Sequence, residues 1–146
     1  MKATILTART PNIFLGILAI VMLFSFVSCT KKISFLTSSV VPAARGTVKV
    51  KKDKNMNYVI QIELLNLAEV KRLNPARETY VVWMVTDVMT KNIGKIDSSS
   101  GMFSNKLKAS FETISSIKPT KIFITAEDDA SVQYSGSEVV MSTSSF

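Results

Sequence analysis

From Gly46 onward the sequence switches to segments of period-two patterning, with no convincing 3.6-residue repeat of an amphipathic helix. Residues two apart share one face of a strand, so this pattern commits the chain to half-buried sheets. Val48 and Val50 alternate with Lys49 and Lys51, while Tyr58, Ile60, Ile62 and Leu64 alternate with Gln61 and Glu63. The intervening "KKDKNMN" is turn-forming sequence, and the two runs predict a hairpin. Residues 66–78 contain Pro75 and no clean alternation, and read as a long connection with one helical turn.

"TYVVWMVTDV" is the densest apolar run in this part of the chain. Tyr80, Val82 and Met84 face one way and Val81, Trp83 and Val85 the other, as expected of a central strand covered on both faces. Further strands are predicted at "NIGKID", at Leu107, Ala109 and Phe111, at "KIFITAE" and at "SEVVMST". The Gly and Ser turn "SSSGMFS" is expected to fold Met102 and Phe103 back onto the core. About seven strands without a convincing helix is the count of an all-β, immunoglobulin-like antiparallel sandwich. Residues 44–146 suffice for one such domain. Trp83 stands where these sandwiches place their core tryptophan, but the flanking cysteine pair is missing, so packing alone must supply stability.

The N-terminal part is built differently. Lys2 and Arg9 form a positive start, Pro11 and Asn12 end it, and Ile13 to Val27 is almost uninterrupted apolar sequence before the small Ser28. That is the layout of a secretory signal peptide over residues 1–28. As a helix the apolar run would span about 22 Å, short of the roughly 30 Å hydrocarbon core, which favours a cleaved segment over a permanent span.

The cysteine that follows, Cys29, is the single thiol of the chain. Phe26-Val27-Ser28-Cys29 resembles the lipobox of bacterial lipoprotein precursors: an apolar position, a tolerant one, a small residue and the obligatory cysteine. The resemblance implies cleavage between Ser28 and Cys29, a thioether-linked diacylglycerol on the Cys29 sulfur, and N-acylation of the new terminus by a palmitate-type chain. Sulfur is the side-chain nucleophile suited to that transfer. Two or three acyl chains, at about 0.8 kcal/mol per buried methylene, give stable anchoring where one would be marginal. The Ser- and Thr-rich segment 29–43 then reads as a flexible tether, with Lys31 and Lys32 solvated or near headgroups. By the sorting rules of such lipoproteins, the absence of Asp after the cysteine implies the outer membrane, facing the periplasm.

A second resemblance begins at "TYVVWMV". Tyr80 and Trp83, then Asn92-Ile93-Gly94, then Phe123-Ile124-Thr125-Ala126-Glu127 are similar to the motifs of the C-terminal extracytoplasmic domain of anti-sigma-K factors, the RskA-like domain, over roughly residues 44–143. Factors of that type carry a cytoplasmic sigma-binding domain ahead of the membrane segment, and twelve residues precede Ile13. The resemblance therefore implies the sandwich on the far side of a membrane, without the sigma-binding half.

Catalytic chemistry is narrowly bounded. The chain has no histidine, so Ser-His-Asp and Cys-His sites and histidine-based metal sites are excluded. Glu127, Asp128 and Asp129 lie together after a strand, but without the alternating ligands and Gly of a calcium loop they read as a solvated turn. Lys49, Lys51, Lys52 and Lys54 form the clearest basic patch, suited to lipid or a polyanionic glycan but read first as protection of an exposed strand edge. Beyond residue 28, sixteen Lys and Arg face eleven Asp and Glu, a bias too mild and too interspersed for nucleic-acid binding. The expectation is a non-catalytic binding or structural module without metal or cofactor, with membrane lipid and an envelope protein as its partners.

Overall fold

The computed structural model describes residues 30–96, 108–136 and 138–146. The expected signal peptide, its cleavage site at Ser28 and Cys29, the turn carrying Met102 and Phe103, and Leu107 lie outside the described residues. Among those described, the chain forms β1 (Lys31–Ser34), β2 (Arg45–Lys52), β3 (Tyr58–Leu65), β4 (Thr79–Val85), β5 (Thr90–Ile96), β6 (Lys108–Ser115), β7 (Lys121–Glu127) and β8 (Val139–Ser142). They make two four-stranded sheets, ordered β1-β2-β3-β6 and β5-β4-β7-β8, in which every pairing is antiparallel.

The alternation read in the sequence is what builds the core. Val48 and Val50 of β2 and Ile60, Ile62 and Leu64 of β3 meet Tyr80, Val82 and Met84 of β4 and Ile122, Ile124 and Ala126 of β7 in one buried cluster. Each fully buried Val, Leu or Ile contributes about 1.5–3 kcal/mol relative to exposure. The other face of the first sheet carries polar pairs: Lys49 Nζ donates to Glu63 Oε1 at 2.7 Å, and Gln61 Nε2 donates to Glu112 Oε2 at 2.9 Å. The "KKDKNMN" turn is organised by Asp53, whose Oδ1 accepts from the backbone N–H groups of Asn55 and Asn57, both at 2.8 Å. The 66–78 connection contains a single 3-10 turn, Val70–Arg72.

The segment expected as a flexible tether over 29–43 carries a strand. Residues 31–34 are β1, with Lys31 opposite Val50 and Ile33 opposite Val48, so the described domain begins before residue 44 and has one more strand than expected. The cause is the apolar pair Ile33 and Phe35, two apart, both of which enter the core. Phe35 N–H donates to Gly46 O at 3.0 Å and Leu36 N–H to Ser142 O at 2.8 Å, so consecutive residues stitch the first sheet to the second. Gly46 makes room for this: a Cβ there would lie 2.4 Å from Leu64 Cδ2 and 3.0 Å from the Phe35 ring. Further along, the Ser38 hydroxyl donates to Val140 O and accepts from Val41 N–H, which fixes the rest of the supposed tether.

The edge-protection reading of the lysines is corrected at Lys49 by the same strand. β2 lies between β1 and β3 and pairs with β1 over Thr47 to Val50, so Lys49 sits on an interior stretch and the edge beside it belongs to β1, whereas Lys51 and Lys52 lie past the end of β1.

Candidate functional site

Trp83 is fully buried, yet it does not enter the cluster between the sheets. Period two sends Tyr80, Val82 and Met84 inward and turns Trp83 to the opposite face of the second sheet. There its indole N–H donates to Thr125 Oγ1 at 2.8 Å, and its ring stacks on Phe123 with centroids 6.0 Å apart and planes at 10°. Thr125 is completely buried, an environment in which a polar atom needs its partner.

Asn92 secures the neighbouring loop. Its Nδ2 donates to the carbonyls of Ala130 and Val132, each at 2.9 Å, so the connection between β7 and β8 is tied down onto β5. Its Oδ1 accepts from Gly94 N–H at 3.0 Å, and the β4–β5 register jumps there, leaving Ile93 as the extra residue of a bulge. Gly94 has φ of 138°, and a Cβ on it would come 2.8 Å from the Phe111 ring of β6. The Asn-x-Gly spacing thus marks both a bulge and a close approach between the two sheets. Tyr80, from the other motif, donates its hydroxyl proton to Ala68 O at 2.9 Å, and burial pushes the phenol up to about 12.

The acidic run does not converge. Glu127 is buried, Asp128 pairs with Arg77, and Asp129 accepts from the backbone N–H of Ser131 at 2.8 Å and from its hydroxyl. Those two hydrogen bonds, the backbone one first, hold the Asp129 carboxyl below its usual value. Among the described residues no group of three or more carboxylate or thiol side chains is placed to hold a metal ion.

The basic patch divides in the same way. Lys49 is engaged by Glu63, whose carboxyl is lowered by that hydrogen bond and then by the lysine charge. Lys52 lies 5.5 Å from the Tyr58 ring centroid, and Lys31 lies 5.3 Å from that of Phe146.

Two open clefts flank β5. One, of about 270 Å³, runs between β5 and β6 and has Lys91 as its ionisable lining side chain; the other, of about 560 Å³, adds Tyr134. Neither brings a nucleophile to a base. Cys29 precedes Thr30, the first residue of the described part, by one position. None of the family models, curated proteins or solved structures compared with the chain matches it.

Proposed function

We propose that this chain is a membrane-anchored bacterial lipoprotein that displays a non-catalytic, immunoglobulin-like β-sandwich in the cell envelope. The observation that carries this reading is the position of the lone cysteine. Cys29 closes the Ile13–Val27 apolar run behind a small residue and stands two residues ahead of β1. A thiol acylated there ties the domain to a bilayer with almost no slack, confines it to a surface and raises its local concentration near envelope partners. The domain is a binding or structural module rather than an enzyme, because the chain lacks histidine and its one thiol is assigned to lipid. Its place is the outer membrane, facing the periplasm.

Replacing Cys29 with Ala tests the anchor. The wild-type chain is expected in the detergent-soluble membrane fraction at the size of the processed form, and the Cys29→Ala chain as an unprocessed precursor. Identical processing of both would remove the reading.

A second reading is a sensor or accessory domain of an anti-sigma-type system that does not itself bind a sigma factor. What favours it is that Trp83, Phe123 and Thr125, drawn from separate motifs of the RskA-like resemblance, form one contact cluster. A co-purifying membrane regulator would distinguish this reading from a solitary module.

A further inference from the structure

We infer that the end of the domain formed by the β2–β3 turn, the β4–β5 turn and the β6–β7 loop is a docking surface for an anionic lipid bilayer, so that the domain stands end-on against the membrane. The strand register puts these three connections together. Tyr58, which closes the β2–β3 turn, lies opposite Ser115, the last residue before the β6–β7 loop, and Val85 and Lys121 pair where the β4–β5 turn meets that loop. Lys31 is opposite Val50 and sits over the Phe146 ring, while Phe146 N–H donates to Thr120 O at 2.8 Å, so both the start of β1 and the C-terminus arrive at this end.

Three observations select a membrane as the occupant. Apolar side chains stand exposed at the tips: Met56 (64%), Val88 (77%), Met89 (50%) and Ile117 (41%). Around them lie Lys31, Lys51, Lys52, Lys54, Lys118 and Lys121 against only Asp53 and Asp87, a strongly basic end, whereas towards the opposite end Glu69, Glu78, Asp128, Asp129 and Glu138 are matched by Arg45, Lys71, Arg72, Arg77 and Lys108. Apolar tips ringed by long amphipathic cations suit the boundary between headgroups and acyl chains, and the lysines are complementary to anionic headgroups. A second copy of the same end would bring like charges together. Finally, Cys29 lies two residues before Lys31, a reach of at most about 7 Å, so a bilayer holding the Cys29 sulfur is within touch of this end and of no other.

This orientation rests on the anchored reading for the presence of a membrane, but it is read by a different measurement. The full chain is purified from membranes and reconstituted into phosphatidylcholine–phosphatidylglycerol vesicles with brominated acyl chains, as Val88→Trp or Leu65→Trp. Leu65 (42% exposed) ends β3 opposite Arg45 and Lys108, at the far end of the strand from Tyr58, and native Trp83 is buried in both proteins. Val88→Trp emission is expected to fall about twofold relative to unbrominated vesicles, with Leu65→Trp unchanged. Adding Lys52→Glu, Lys54→Glu and Lys118→Glu to Val88→Trp is expected to abolish most of that quenching. A chain that fails to float with the vesicles contradicts both readings. One that floats with Val88→Trp no more quenched than Leu65→Trp overturns the orientation alone and returns the surface to solvent or to an acidic protein. Selective Val88→Trp quenching in a chain whose Cys29 carries no acyl group keeps the orientation and removes the lipoprotein.

Discussion

Trp83 and Thr125 show how a single polar pair is placed under stress by burial. The hydroxyl accepts the indole proton in a region water does not reach, so removing it strands the N–H. Thr125→Val keeps the shape, and the loss expected is about 1–3 kcal/mol by denaturant unfolding; an unchanged midpoint would contradict the bond. Gly94→Ala is expected to cost about 2 kcal/mol by the same assay, because its backbone occupies the left-handed side of φ space and the added methyl meets Phe111. Tyr80 links stability to pH. Its phenol ionises near 10 when unfolded and at about 12 when folded, so the folded state holds the proton more tightly. The stabilisation is complete below pH of about 10 and is lost as pH rises through about 12. Unfolding midpoints followed from neutral to alkaline pH should fall more steeply for wild type than for Tyr80→Phe, and parallel curves would contradict the burial of that hydroxyl.

Among the elements, β1 carries most of what was hard to read. The hairpin of β2 and β3, the two-faced β4, and β5 to β8 were legible because alternation with period two is a local signal that survives from sequence to sheet. β1 was not, since Ser34, Thr37, Ser38 and Ser39 resemble a linker, and the two residues that matter, Ile33 and Phe35, are too short a pattern to stand out. Their partners, Val48 and the Gly46 carbonyl, come from the next strand along, and the closing bond to Ser142 spans nearly the whole domain. Trp83 was legible as buried but not as facing away from the intersheet core, because its neighbours on that side, Phe123 and Thr125 of the adjacent strand, are distant in sequence. If β1 is structural, Ile33→Ala is expected to destabilise the domain by about 2–4 kcal/mol, and the Phe35 and Leu36 amides should exchange slowly with deuterium. Free exchange at both positions would restore the tether.

At the scale of the whole molecule, the two ends differ in charge and in apolar exposure although the composition is only mildly basic. A count over the chain averages the unmatched lysines near the β2–β3 turn with the far end, where carboxylates and cations balance, as in Arg77 with Asp128 and Lys71 with Glu78. Near an anionic surface each lysine is worth about 1 kcal/mol, so several acting together add usefully to an acyl anchor. The lack of histidine was fully legible and bounds the chemistry without reference to geometry. The proposed attachment rests on Cys29. Its most direct measurement is the mass of the N-terminal tryptic peptide of the protein taken from membranes. The peptide expected is Cys29-Thr30-Lys31 carrying a diacylglyceryl group on sulfur and a fatty acyl group on the new amine. A peptide beginning at any other residue, or the same peptide with an unmodified thiol, would contradict it.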